Sequence, residues 1–366
     1  MVGWNAHGVD EESGVLHVTL VSTVTMNPYV ELLRRSLDAL PGVAARTTQR
    51  ELTPGWVWKH RKQLDVIHLH WIELQITSPS RWRGAKKFAR LLAALALAKE
   101  LGVTLVYTVH NIAHHEGQNA RLNEWANRYI FRAADVVHVH DACVAGEVAA
   151  RYGRTRGVYA VQHGNYVGVY PMRSSRSEAR RQLGLDAGSR VFLFLGQVRP
   201  YKGVEELIAA FRQMRDGDYT LMVAGNPQDP AYAARIEEAA QGDPRIHLRL
   251  GYVPDEEVHR YMLASDASVL PYREVTTSGA ALLSFSFGLP IIAPGIGCFT
   301  GLVQGRRGVL YDPSAPDGLE MAMRQAAKMD RDAVRREVLE FAESLSWDKL
   351  APQHLEAYQR AREGRE

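Results

Sequence analysis

Short apolar runs alternate with segments in which apolar residues recur at helical spacing, and the alternation runs twice along the chain. In the first half, Val15–Val21, Asp65–Trp71, Val103–Val109 and Asp135–His140 read as strands. Tyr29–Leu40, ended by Pro41-Gly42, Lys86–Leu101, stopped by Gly102, and Leu122–Ala133 read as helices. A polar, arginine-rich stretch from about Tyr170 to Arg190 interrupts the pattern. The pattern then restarts, with strands at Val191–Leu195, Tyr219–Ala224, Ile246–Leu250, Ala267–Leu270 and Pro290–Ala293. Helices at Val204–Met214, Ala231–Ala240, Asp255–Leu263 and Ala280–Phe287 separate them. Repeated βα units imply parallel sheets covered on both faces. The expected fold class is therefore α/β, with two Rossmann-like, doubly wound parallel-sheet domains facing a cleft. Residues 1–170 form the first domain, 171–345 the second, and 346–366 a final helix (Trp347–Arg362) that packs back on the first.

Composition narrows the setting. The 366 residues include 44 Lys and Arg against 41 Asp and Glu, so the formal net charge is only +3 and bulk charge does not point to nucleic acid. Cys143 and Cys298 fit neither a disulfide framework nor a zinc pattern, and a cytoplasmic setting is expected. No signal-peptide pattern is read in the opening residues. The longest apolar helical run, Phe88–Ala98, is broken by Arg90 and falls short of the roughly 20 residues needed to cross a bilayer. Attachment to the inner face of the cell membrane stays open.

The richest stretch is Gly196-Gln-Val-Arg199-Pro-Tyr-Lys202-Gly203, between the apolar run Val191–Leu195 and the helical pattern from Val204. This is a strand-to-helix turn at the carboxyl end of a strand, where open α/β sheets bind ligands. Two cations and two glycines facing a helix N-terminus suit a diphosphate.

Other residues have a plain and a chemical reading. His68 and His70 alternate on one strand face, as do His138 and His140, and His114 adjoins His115. These spacings match no standard zinc signature, so no metal is expected. Asp141 is a natural N-cap for a helix from Ala142 to Tyr152, and equally a general base for an acceptor hydroxyl. Arg81-Trp-Arg-Gly-Ala-Lys-Lys-Phe-Ala-Arg90 has five cations and no acid, and Trp56–Lys62 is a second aromatic and basic cluster. Both read as solvated helix faces, or as a patch for anionic lipid headgroups with Trp82 and Phe88 dipping into the interface. Ser22-Thr-Val-Thr25 stands where a nicotinamide dehydrogenase would carry its glycine fingerprint, which disfavours that class.

A chain of short motifs in fixed order adds a family resemblance. They are Thr108-Val-His-Asn111, His163-Gly-Asn165, Gly196–Gly203, Val223-Ala-Gly-Asn226, Leu250–Glu257, and Leu270-Pro-Tyr-Arg through Ser278-Gly279 to Phe287–Ala293. In these the chain resembles the GT-B glycosyltransferases, within them the bacterial nucleotide-sugar transferases of family 4. The resemblance implies a hexose transferred from a UDP- or GDP-linked donor to a sugar or glycolipid hydroxyl, with no metal and no other cofactor. It places Arg199 and Lys202 on the donor diphosphate, Gly225, Asn226, Tyr252 and Val253 at the base and ribose, and Ser278 and Gly279 at the phosphate. It puts His110 beside the transferred sugar; Asn27 and Tyr29 stand where relatives often have a glycine-rich loop, and read as shaping the acceptor pocket or as a plain turn opening a helix. An aspartate placed like Asp141 serves as base in related inverting xanthan-type glucuronosyltransferases.

One departure stands out. Many family members carry two glutamates with seven residues between them near the last motif; here those slots fall on Val275 and Leu283, with Glu274 beside the first. Leu283 cannot bond a ribose, and Glu274 is the substitute candidate. The family favours retention of anomeric configuration. The alternatives are an inverting enzyme with Asp141 as base, or a non-catalytic relative that supports a partner enzyme.

Overall fold

The computed structural model describes residues 14–24, 27–78, 80–112 and 120–364. Among them are two six-stranded sheets, and every strand pair is parallel. The first lobe holds β1 (Leu16–Val21), β2 (Val43–Thr48), β3 (Val66–His70), β4 (Thr104–Thr108), β5 (Val136–Val139) and β6 (Val158–Ala160), in the order β2-β1-β3-β4-β5-β6. The second holds β7 (Arg190–Leu195), β8 (Tyr219–Gly225), β9 (Ile246–Leu250), β10 (Ala267–Val269), β11 (Ile291–Pro294) and β12 (Gly308–Tyr311), in the order β12-β11-β10-β7-β8-β9. Strand order reverses between β1 and β3 in one lobe and between β7 and β10 in the other. Crevices open at the carboxyl ends of strands at such switch points.

Both faces of each sheet are buried, because successive side chains on a strand point to opposite sides. In the first lobe Ile67, Leu105 and Val137 join one core, while Val66, Val106 and Val136 join the other. In the second, Phe192, Phe194 and Val223 face one core, and Leu193, Leu195 and Ala224 the other. This explains why the strands read as continuous apolar runs rather than alternating ones.

The helix Trp347–Glu363 returns to the first lobe, where Trp347, Ala351 and Tyr358 share a core with Val18, Leu20 and Tyr29. Trp347 donates from Nε1 to the Asn165 carbonyl at 2.7 Å, and its indole lies so close to Gly164 that any Cβ there would collide with it.

The arginine-rich stretch is more than a linker. It contains the helix Arg176–Gln182, opened by a capping box of Ser175 and Glu178, and its Arg180 is buried. The chain also joins the second lobe before it: Asn165 N–H donates to the Leu345 carbonyl at 3.0 Å, and Tyr166 lies in the second lobe's core. The helix expected from Lys86 begins at Arg81.

Candidate functional site

The turn after β7 is held rigid by backbone chemistry. Gly196, Gly225 and Gly251, at the carboxyl ends of β7, β8 and β9, share φ values of 145°, 146° and 144°, a region that favours glycine. Gly196 N–H bonds Ala224 O at 3.0 Å and Gly251 N–H bonds Gly225 O at 2.9 Å, so the three form one step across the sheet edge. A Cβ on Gly225 would collide with the Gly196 carbonyl. Val198 pairs with the strand-like segment at Pro227, its N–H bonding Asn226 O at 2.9 Å. Arg199 then caps a short turn of 3₁₀ helix, Pro200–Lys202, and Gly203 (φ 66°) opens the helix Val204–Gln213.

Lys202 lies half-buried over this step. Its Nζ is 5.1 Å from the centre of the buried Tyr272 ring and 3.6 Å from where a Gly196 Cβ would sit. Arg199 is half-buried on the same loop, and the Arg273 N–H ties the loop to β10 through the Tyr201 carbonyl at 2.8 Å. Two cations thus sit at the switch point between β7 and β10, above backbone that carries no side chains. Asn226 and Tyr252 are exposed beside the step, and Val253 packs against the core below.

Across the crevice, Ser278 caps the helix Gly279–Ser286, its hydroxyl accepting from Ala281 N–H at 3.2 Å. Ser278 is buried and lines a cavity of about 50 Å³ between the lobes. Gly279 faces Tyr166, whose hydroxyl would lie 3.3 Å from a Cβ there and donates to Asn27 Oδ1 at 3.4 Å. Leu283 packs between the second lobe's two cores, so it is a packing residue. Glu274 is exposed on the loop after β10 and is absent from the residues lining the inter-lobe cavity.

Asp141 does what its capping chemistry predicts, Oδ1 accepting from Cys143 N–H at 2.7 Å. Its other oxygen, Oδ2, would lie 2.7 Å from a Cβ on Gly301 of the second lobe. With His140, His163 and Ser278 it lines the inter-lobe cavity, so capping leaves one carboxylate oxygen facing the cleft.

The first lobe's contribution is dominated by a feature only partly legible in the sequence. His68, His70, His110, His138, His140, His163 and His354 form a buried column, with Tyr29 at its centre. The Tyr29 ring makes edge contacts with His70, His110, His140, His163, Trp71 and Trp347. Tyr29 has no exposed surface, which corrects its expected role in direct acceptor contact: it is a core residue that orients the imidazoles. Asn27 stays half-buried at the lobe junction, its Oδ1 also accepting from Tyr29 N–H at 3.0 Å.

His110 stacks on Trp71 with ring centres 3.8 Å apart and an interplanar angle of 10°. Trp71 adopts φ 46°, a strained value for a non-glycine residue and a mark of a constrained site. His110 Nε2 meets His70 Nδ1 at 3.0 Å, so one is the donor and the other the acceptor. Burial, then the neighbouring His70, His140 and His163, hold His110 well below the ordinary histidine range. Burial likewise pushes His138 and His163 down to about 3 and His140 to about 4. The column is therefore neutral at physiological pH, and His110 offers its partners hydrogen bonds rather than charge. Among the described residues no group of His, Cys, Asp and Glu has metal-holding geometry. His114 and His115 lie outside the described residues.

The surface patch differs from its sequence reading. Trp82 is 85% exposed and Trp58 54%, while Phe88 is partly buried and packs against the first lobe's core. Lys87 is engaged by Glu51 at 2.7 Å. The helices Pro54–His60 and Arg81–Glu100 pack together, so the two basic clusters share one edge of the lobe. Trp125, 69% exposed, extends the same side through Leu122, which packs on Gly84. No helix among the described residues is long and apolar enough to cross a membrane.

Comparison with known proteins agrees with this geometry. Residues 189–329 match the family model described as "Glycosyl transferases group 1". A GDP-mannose:glycolipid 4-beta-D-mannosyltransferase of Xanthomonas campestris is 30% identical over 282 residues, covering 76% of this chain and 73% of that protein. A D-inositol 3-phosphate glycosyltransferase of Nocardioides is 26% identical over 330 residues, covering 81% of this chain and 68% of that one. Among solved structures, Anabaena HepE in complex with UDP and glucose superposes with a TM-score of 0.71 at 16% identity, covering 94% of this chain and 100% of its own. Sucrose-phosphate synthase from Thermosynechococcus elongatus gives 0.72 at 18% identity, over 94% and 98%. These two share the two-lobed GT-B fold. The chain belongs to the group 1 glycosyl transferases and is a glycosyltransferase.

Proposed function

We propose that the protein moves a hexose from a nucleoside-diphosphate sugar to a hydroxyl of a sugar or glycolipid acceptor. The observation that carries this reading is that Arg199 and Lys202 lie on the loop after β7, at the β7–β10 switch point, with Lys202 Nζ over the side-chain-free glycine step. As the sugar leaves, the diphosphate gains negative charge, and preorganised cations and helix amides stabilise that charge. Asn226, Tyr252 and Val253 flank the base and ribose. Glu274, exposed on the loop after β10, is the ribose candidate. The GDP-mannose named for the Xanthomonas relative makes GDP-mannose the first donor to try. Thermal-shift and nucleotide-release assays across UDP-, GDP-, ADP- and dTDP-sugars test the reading. One nucleotide should raise the melting point and its sugar should turn over; stabilisation by none, with no nucleotide released, would overturn it.

A second stereochemical course has its own support. Asp141 presents a carboxylate oxygen to the inter-lobe cavity, as a general base for the acceptor hydroxyl must. The Xanthomonas relative is named for a β-linked product, which requires inversion from an α-linked sugar nucleotide. We therefore favour inversion with Asp141 as base over retention. No cofactor is assigned a step.

The acceptor end fits a membrane surface. Trp58, Trp82 and Trp125 are exposed beside Arg83, Lys86 and Arg90, an arrangement that suits anionic headgroups, with about 1 kcal/mol per nearby cation. Flotation with anionic vesicles at low salt tests it, and absence of binding removes it.

A further inference from the structure

A second basic pocket lies on the opposite edge of the second lobe's sheet. It is a cavity of about 200 Å³ at the amino ends of β7, β10 and β11, formed by Arg190, by Ser265 and Asp266, and by Gly288–Pro290. From Arg190, β7 runs roughly 17 Å before reaching the Gly196 turn, at about 3.3 Å per residue, so this pocket is not part of the cleft.

Four arginines line it, Arg176, Arg190, Arg331 and Arg335, against one carboxylate, Asp266. That carboxylate is already shared. Arg176 reaches Oδ1 at 2.6 Å, the buried Arg180 reaches Oδ2 at 2.8 Å, and Val191 N–H donates to Oδ2 at 2.9 Å. Arg190 stands farther off, 3.7 Å from Oδ1. Arg335 is fixed by donating to the Phe287 carbonyl at 2.8 Å, and its acidic neighbour Asp332 is exposed on the same helix. Arg331 is exposed and forms no ion pair among the described residues. Burial, with Arg180 and Arg331 adding repulsion, pushes Arg176 down to about 10, where Asp266 opposes the shift. Arg335 is lowered by burial and then by Arg331. Arg176 is further tied down by donating to the Leu263 and Ser265 carbonyls at 3.1 and 2.6 Å, which leaves Arg190 and Arg331 as the less engaged cations at the pocket. The other walls are apolar, including Met262, Leu289 and Met329.

We propose that this pocket is a binding site for a small phosphomonoester, its phosphate held by Arg190 and Arg331 and its organic body against the apolar wall. Arginine forks match phosphate oxygens in pairs, and the cavity exceeds what one phosphate fills. The pocket and the cleft lie at opposite ends of the helix Gly279–Ser286: Ser278 caps it in the cleft, and Arg335 holds the carbonyl at its other end. The proposal does not depend on the donor reading.

Calorimetric titration with inorganic phosphate and with glucose 6-phosphate tests it. The proteins are wild type, Lys202→Ala, Arg331→Gln and the double variant Arg190→Gln/Arg331→Gln. Wild type and Lys202→Ala should show saturable uptake, tighter for glucose 6-phosphate. Arg331→Gln should weaken it roughly tenfold, the effect of one charge-assisted contact, and the double variant further. Since Arg331 is exposed, its single variant keeps the test valid if the double variant unfolds. Saturable uptake absent from wild type, or lost in Lys202→Ala and unchanged in Arg331→Gln, would overturn the site. Glucose 6-phosphate binding no tighter than phosphate would overturn the role of the apolar wall.

Discussion

The Thr277 hydroxyl of the second lobe donates to the His110 carbonyl of the first at 3.0 Å. Next to it, Ile112 N–H donates to Thr276 Oγ1 at 3.4 Å. Consecutive threonines after β10 thus hold the loop after β4, and with it the imidazole stacked on Trp71, against the donor lobe. Cleft closure in such enzymes excludes water from a donor prone to hydrolysis. The Thr276→Val/Thr277→Val variant removes both contacts, each worth about 1 kcal/mol. Its kcat/KM should fall by up to roughly thirtyfold, with more donor hydrolysed per transfer. Unchanged partitioning between transfer and hydrolysis would show that these contacts do not govern closure.

Lys202→Ala should reduce kcat/KM by at least ten- to hundredfold, since a charge-assisted contact contributes about 1.5–3 kcal/mol. The fold should survive, because Lys202 is half-buried at the crevice rather than in the core. Near-normal turnover would contradict the assigned donor site.

Asp141→Asn keeps the cap, because an asparagine oxygen still accepts from Cys143 N–H. Melting should therefore change little while transfer drops by roughly 10²–10⁴-fold, the usual share of general-base catalysis. The one-bond C1–H1 coupling of the product's new anomeric centre reports the stereochemistry. A retained configuration with a still-active variant would remove the base role.

The histidine column should make stability steeply dependent on pH. Its imidazoles have folded pKa values below the ordinary one, so below about pH 6.5 the unfolded chain binds more protons than the native one. The contribution is full above about pH 6.5 and is lost progressively as pH falls toward the folded values near 3 to 4 of His138, His140 and His163. Each group costs on the order of 1 kcal/mol by pH 5.5. Together they approach the ~5–15 kcal/mol stability of a typical domain. Melting temperatures followed by circular dichroism should fall sharply between pH 6.5 and 5.5; a flat profile there would mean the column is not neutral and buried.

Tyr358 anchors the returning helix. Its hydroxyl meets His68 Nδ1 at 2.7 Å, while His68 Nε2 meets Thr108 Oγ1 at 2.6 Å. Tyr358→Phe leaves a fully buried ring nitrogen unpaired, which costs about 1–3 kcal/mol. The urea midpoint should shift accordingly, with the slope unchanged.

The order of βα units, the strand-to-helix turn carrying Arg199 and Lys202, and the existence of the final helix were legible because each depends on local pattern: a buried parallel strand is apolar throughout, and glycines mark where backbone must turn. The strands β2, β6 and β12 escaped notice, and all three lie at sheet edges, where one side carries no neighbour and the apolar run is short or mixed. The paired histidines of β3 and β5 were visible as a spacing, but their meaning was not. Only the alignment of β3, β4 and β5, with Tyr29 and His354 brought in from distant helices, makes them one neutral column. Tyr29 opens a helix, as its pattern indicates, but the acceptor-facing place expected for it is not where it lies: it is fully buried, because burial depends on what packs above a residue and not on its place in the chain. The arginines of the second pocket come from the segment read as a linker, from the start of β7 and from a late helix. Sequence determines which residues are near in the chain and which face of an element they share; only folding decides which charges meet across it, because that depends on how separate elements pack.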